Sequence, residues 1–432
     1  VRMAQDYRAP AGDITPLPSA RAGLSVGQGA ALTIGAVLGT GVITLPALVA
    51  ELAGPASLIA WVVLIVLSVP LAGTFAALGA RHPDSGGVST YVRRAFGARA
   101  AAVVGWCFYA AIPVGAPAAS MMAGQYVADA LGGGRVTVLL ASALLILIVC
   151  AMNAVGLRLS GRVQLVLAAV LAALMVLTVI VALPHANLAA VGPLLPHGWT
   201  GVVAAAGVLV WAFAGWEAVS SLAAEYRDPA RDVPRATAIA LVTVSVLYFA
   251  LATTTVLVLG AAAGSSDAPL SDLMAMGIGP AARPVTAVVA VLLTLGTMNA
   301  FFAGAAKLGS ALGRDGAMPL WLAQGSSAGE VPRRSLLVVG VLSLASLAAT
   351  AVFHLELTST MLLTTGSFTL VYLLGSAAAL KLLPRGTWAR RGAAVALVAA
   401  LGLAVSIGLP MLWSFAVSAG AIAYLALVKR RR

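Results

Sequence analysis

Two short stretches of this chain can bind a ligand without any reactive side chain. One is Gly39-Thr40-Gly41, inside the apolar run IGAVLGTGVITLP (34–46). The other is Phe213-Ala214-Gly215, followed two residues later by Glu217. Glycine costs roughly 1 kcal/mol in a helix interior relative to alanine, so each cluster marks a weak point in a helix. A helix broken at membrane depth leaves backbone N–H and C=O groups free. That is tolerated only where they line a cavity or meet a ligand. Breaks at corresponding places in two halves of a hydrophobic chain are the best sequence pointer to a binding site near the bilayer midplane. The chemistry implied is recognition by peptide groups, with the Glu217 carboxylate beside the second break.

The breaks need spans to hold them. Apolar residues make up 61% of 432 positions and charged residues 9%, against roughly 25% charged in a soluble protein. An all-α integral membrane protein follows. Twelve spans are predicted, at 27–50, 55–80, 100–131, 136–156, 162–183, 200–224, 236–260, 284–306, 335–353, 358–382, 393–409 and 411–428. Most lie near the ~20 residues needed to cross. With the N-terminus in the cytoplasm, all 26 Lys and Arg except Arg135 and Arg283 fall in cytoplasmic tails and loops. The +12 charge is thus a topology signal rather than a nucleic-acid footprint, and both termini are expected in the cytoplasm. The first 20 residues have no apolar core of a signal peptide, so the first span would act as the insertion signal.

The spans organise into one domain. Residues 1–26 read as a cytoplasmic tail, 81–99 as a short helix on the inner membrane surface, and 261–283 as an outer loop with a short helix near Leu270–Met276. The breaks fall in spans one and six. Five is odd, so a second set of five spans would enter from the opposite side. That gives an inverted repeat, 27–183 against 200–382, with spans 11 and 12 (393–428) appended. No strand-like alternation of ~10 residues recurs, which disfavours a β-barrel. The two cysteines, Cys107 and Cys150, lie within spans and read as small apolar packing residues. The four histidines (82, 185, 197, 354) lie in loops or at span ends, and no nucleophile or carboxylate pair converges. The chain is therefore expected not to be an enzyme and to hold no metal.

Four stretches carry a family resemblance: IGAVLGTGVITLP (34–46), PDSGGVSTYVRRAFG (83–97), FAGWEAVSSLAAEYRDPARDVPRA (213–236) and NAFFAGAAKLGSALGRDGAMP (299–319). In this order the chain resembles the amino acid–polyamine–organocation (APC) superfamily, whose members share a LeuT-like 5+5 inverted repeat with helices 1 and 6 broken. It looks most like the bacterial methionine/branched-chain amino acid exporters. The resemblance implies a multi-pass protein of the bacterial plasma membrane that carries a small amino acid. It implies no cofactor and no partner beyond substrate and lipid, and leaves the coupling ion and oligomeric state open.

An amino acid zwitterion at membrane depth needs partners for both charges, because an unpaired ion there is costly. The N–H groups of Thr40, Gly41 and Val42 would face the carboxylate at the positive end of a half-helix, with Gly39 and Gly41 allowing close approach. By similarity to the family, the carbonyls of Val37, Trp211 and Ala214 would take the ammonium, with Phe213 and Gly215 completing the second break. Trp211 and Phe301 match gating aromatics of the related arginine/agmatine antiporter, and Trp216 is a further gate candidate. Glu217 has two readings: a structural acid tying span six to span one, or a group that carries a proton with the substrate. Little else would neutralise a cationic side chain, which favours small neutral amino acids over Arg, Lys or polyamines. The lysine that some proton-coupled relatives carry in span five is Leu171 here. For a sodium site, span eight offers Thr294 and Thr297, while Ala303, Gly304 and Ala305 offer no side-chain oxygen.

Overall fold

The computed structural model describes residues 23–83, 86–156, 161–325 and 330–431, so most of the tail predicted over 1–26 lies outside the described residues. The helices are α1 Val26–Val37, α2 Leu45–Ala53, α3 Ser57–Arg81, α4 Gly87–Phe96, α5 Ala98–Leu131, α6 Arg135–Ala154, α7 Gly161–Ala182 and α8 Gly198–Leu209. They continue with α9 Ala218–Leu222, α10 Pro229–Leu259, α11 Pro269–Ile278, α12 Ala282–Arg314, α13 Arg333–Val352, α14 Leu357–Leu382, α15 Trp388–Ile407 and α16 Met411–Arg431. Among the described residues the only β feature is an isolated parallel bridge between Leu24 and Tyr226. Among the described residues, ten helical stretches are long and apolar enough to cross a membrane, and Val26–Val37 and Gly198–Ala212 are shorter apolar helices. The chain is a multi-pass membrane protein.

Local chemistry explains both interruptions. Ser25 and Gln28 form a reciprocal capping box that starts α1. The helix stops at Val37 because Gly39 is extended (φ −83°, ψ −167°). The chain then makes a 3-10 turn over Thr40–Ile43 before α2 begins, with Pro46 in its first turn. Proline is tolerated there because that N–H has no partner within the helix. In the second interruption α8 tightens into a 3-10 turn over Val210–Phe213, Ala214 turns to ψ 117°, and α9 restarts the helix at Ala218. The spans predicted at 27–50 and 200–224 are each two half-helices.

At the centre stands α5, 34 residues long, packed against α6, α12, α13, α14 and α16, while α10 packs against α1, α3 and α7. Small residues let these helices approach: a Cβ on Gly105 would lie 2.8 Å from Leu312, and one on Gly115 2.9 Å from Thr364. Apolar side chains such as Val66, Leu140, Val166, Val341 and Leu412 point outward, as a lipid-facing surface requires. The helices predicted within 81–99 and 261–283 are α4 and α11. Helix α10 starts seven residues before the predicted span. Pro229 opens it, and the Asp232 carboxylate accepts the Asp228 N–H, so the charged stretch is helical.

Candidate binding site where the two helix breaks cross

The two breaks touch. Gly215 has φ +127°, and a Cβ there would lie 2.6 Å from the Ala36 carbonyl oxygen and 2.9 Å from Val37 Cα. Only glycine takes that dihedral without strain while letting another backbone come so close. On the other side of the crossing, a Cβ on Gly41 would meet Trp211 Cδ1 at 2.5 Å. Each break is seated on the other: Gly215 on the last turn of α1, and the Trp211 indole on the Gly41 turn. Gly39 differs, with its nearest neighbour, Thr297 Cγ2, 3.9 Å from a Cβ. Its backbone is ordinary extended chain, so what glycine provides there is open space.

Around the crossing lies a cavity. Val37, Gly39, Thr40, Gly41, Trp211 and Ala214 line it from the breaks; Gly115 and Ala116 from α5; Tyr248 from α10; Thr297, Phe301 and Phe302 from α12; Thr364 and Phe368 from α14. Among the described residues, no lining side chain is charged. The leading N–H groups of a 3-10 turn have no partner within it. Here those belong to Thr40 and Gly41, and an anion is the ligand they suit. On the carbonyl side, Val37 already accepts the Gly39 N–H (2.7 Å) and the Tyr248 hydroxyl (2.8 Å), and Trp211 accepts the Ala214 N–H (3.2 Å). An ammonium reaching Val37 would share that oxygen with Tyr248 or displace it.

A second cavity lies beside the first, lined by Gln164 and Ala168 of α7, by Gly215 and Glu217, and by Gly296 of α12. Ala36, Thr297 and Phe301 border both cavities. The Glu217 carboxylate accepts the Gly215 N–H at 3.0 Å and the Tyr372 hydroxyl at 2.9 Å. It therefore braces its own break against α14, where the sequence reading ties it to the first span. Val42 and Trp216 are buried and line neither cavity; the Phe213 side chain lies outside the described residues. Leu171 is buried on α7, and the Thr294 hydroxyl is buried without a hydrogen-bond partner. No group of three or more His, Cys, Asp or Glu that could hold a metal occurs among the described residues.

The sequence reading misses Tyr248 and Tyr372, as well as the wall residues Thr364 and Phe368. For the tyrosines the available signal is a single Tyr in each span, whose hydroxyl must find an acceptor when buried. Both find one next to a break.

The sequence profile described as amino acid permease matches residues 24–426. The chain is 34% identical over 383 residues to the uncharacterized amino acid permease YecA of Bacillus subtilis, covering 88% of this chain and 90% of that one. It is 35% identical over 293 residues to the L-methionine/branched-chain amino acid exporter YjeH of Escherichia coli, covering 66% and 68%. Among solved structures, MhsT in complex with L-phenylalanine superposes with a TM-score of 0.62 at 14% identity, over 91% of this chain and all of that one, which places the fold in the LeuT class. The profile spans nearly the whole chain, and the chain belongs to the amino acid permease family of the APC superfamily.

Proposed function

We propose that this permease carries small neutral, hydrophobic amino acids by alternating access, holding the zwitterion with the backbone of the two crossed breaks. The observation that carries this reading is the cavity itself: N–H groups of Thr40 and Gly41 that lead the 3-10 turn, carbonyls at Val37 and Trp211, and an uncharged wall among the described residues elsewhere. The substrate carboxylate sits at the 3-10 turn, and the ammonium lies toward the ends of the leading half-helices. The side chain packs against α5, α12 and α14. Such a pocket leaves the second cation of arginine or a polyamine unpaired, a cost that selects against it. Similarity to a methionine/branched-chain amino acid exporter supports the same substrate class.

Phe301 stands between the two cavities and is the gate of this proposal, with Trp211 covering the first break. Glu217 is the coupling candidate, since it lines the second cavity beside the Gly215 break. Twelve crossings, with α1 through α7 forming one repeat and α8 through α14 its inverse, account for breaks in the first helix of each set. Sorting the Lys and Arg by side supports a cytoplasmic location for both termini.

Counterflow of labelled leucine or methionine in proteoliposomes tests the reading. Uptake is expected to be competed by neutral amino acids and lost in Gly41→Val, whose side chain runs into Trp211. Better competition by arginine or putrescine than by leucine would replace it with a carrier of cationic substrates.

A further inference from the structure

One buried hydroxyl lies beyond the site just described. Tyr126 on α5 is fully buried, about two turns past Ala119, which lines the central cavity. Its hydroxyl donates to the carbonyl of Ile43, the residue that closes the turn bearing Thr40 and Gly41. The same oxygen accepts the Leu270 N–H at 3.1 Å, in the first turn of α11. A single atom therefore joins the first helix break, α5 and the loop over 260–283.

That loop is built as a lid. Asp129, one turn along α5 from Tyr126, accepts the Ser271 hydroxyl at 2.6 Å and pairs with Arg283. Arg283, at the start of α12, also reaches Asp272 at 3.0 Å, and Asp272 accepts the Ser266 hydroxyl at 2.6 Å. At the other end of the loop, a Cβ on Gly264 would lie 2.6 Å from Glu51 Cα, so the lid rests on the far end of α2. Both ends of α2 are thus in the lid's reach: one through Tyr126, the other through direct contact.

We infer that Tyr126 is a latch coupling the first helix break to the lid formed by residues 260–283. Opening this face requires α2 to move relative to α5. That movement draws the Ile43 carbonyl away from Tyr126 and frees the hydroxyl from Leu270. A ligand on the Thr40 and Gly41 N–H groups fixes the turn, and with it the Ile43 carbonyl, so occupancy favours the latched lid. This coupling to ligand rests on the proposed substrate site; the latch does not.

The test uses the full chain in lipid nanodiscs, with Cys107 and Cys150 replaced by alanine. Spin labels go at Met276 on α11 and Leu131 at the end of α5, both exposed. Pulsed electron–electron spectroscopy then reads the lid distance. The parent is expected to give one dominant short distance. Tyr126→Phe keeps the ring and is expected to raise a longer-distance population severalfold. Ser271→Ala, which unties the lid without touching Tyr126, is expected to move the same way. Leucine or methionine should narrow the parent distribution and leave that of Tyr126→Phe broad. A Tyr126→Phe distribution that superposes on the parent, with and without amino acid, overturns the latch. If Tyr126→Phe fails to fold by size-exclusion chromatography, an unchanged distribution in Ser271→Ala overturns the lid network instead. Lid release in Tyr126→Phe with no response to amino acid in any variant overturns only the coupling. Counterflow of the unlabelled parent separately reports whether the transport reading itself has failed.

Discussion

Substituting Gly215 by alanine tests whether the crossing of the two breaks carries the binding site. The added Cβ would lie 2.6 Å from the Ala36 carbonyl oxygen, where ordinary contact begins at 3.4 Å, and the atoms it meets are backbone that cannot rotate aside. Alanine at φ +127° also holds a sparsely populated conformation, at a cost of about 1–3 kcal/mol. Overpacking adds about 1–3 kcal/mol more. The breaks can relieve this only by separating, which moves the Trp211 carbonyl of the second break away from the Thr40 turn of the first. If about 2 kcal/mol of the strain is taken from substrate binding, affinity falls roughly 30-fold. Half-saturation of leucine counterflow reads that loss. The companion variant is Gly73→Ala on α3, where a Cβ meets nothing within 4 Å; it is expected to match or slightly exceed wild-type stability, by about 0.5–1 kcal/mol. Wild-type half-saturation in Gly215→Ala would refute the reasoning, because it would mean the close approach is dispensable.

Glu217→Gln keeps an oxygen for the Gly215 N–H and the Tyr372 hydroxyl, so the break should stay braced. If the carboxylate carries a proton, the pH dependence of transport flattens; an unchanged profile confines Glu217 to bracing. Gly115→Ala places a methyl 2.9 Å from Thr364 in the cavity wall and should penalise methionine and leucine relative to alanine by about tenfold. A competition panel would contradict this if every substrate weakened equally. The Asn153 amide donates to Asn299 Oδ1 at 2.8 Å between α6 and α12. Asn153→Leu should lower the thermal midpoint, in line with about 1–3 kcal/mol for a stranded buried acceptor, and adding Asn299→Leu should restore much of it.

The breaks are legible in the sequence because glycine and proline act locally. Pro46 and Gly215 set the chain path through their own dihedrals, Gly39 leaves open space beside the first break, and α4 and α11 follow from helical periodicity over a few residues. The crossing is not legible, since the contact of Gly215 with Ala36 joins positions far apart in the chain. The wall contributed by Tyr248, Thr364 and Phe368 comes from uninterrupted helices, which carry no mark of which face looks inward. Val42 and Trp216 show a second limit. Each adjoins a break in sequence, yet Val42 sits in a 3-10 turn that rotates about 120° per residue and Trp216 follows Gly215 at φ +127°, so neighbours along the chain face different ways. Glu217 illustrates a third. Its place beside a break is visible in the sequence, but its partner on α14 is found only in three dimensions.

The proposed recognition by peptide groups would also constrain how selectivity can arise. Every amino acid presents the same ammonium and carboxylate, so the Thr40 turn and the Val37 and Trp211 carbonyls cannot tell one from another. Discrimination is left to the apolar wall, where one methylene is worth only about 1–3 kcal/mol. A pocket of this kind is therefore tolerant among neutral aliphatic side chains and strict against a second charge. The Tyr248 hydroxyl adds a condition on the shared part: it already holds Val37, so an ammonium bound there as proposed would share that oxygen with the hydroxyl or displace it. Displacement would keep affinity modest, which suits the proposed carrier, since it must release its substrate on the far side of the membrane.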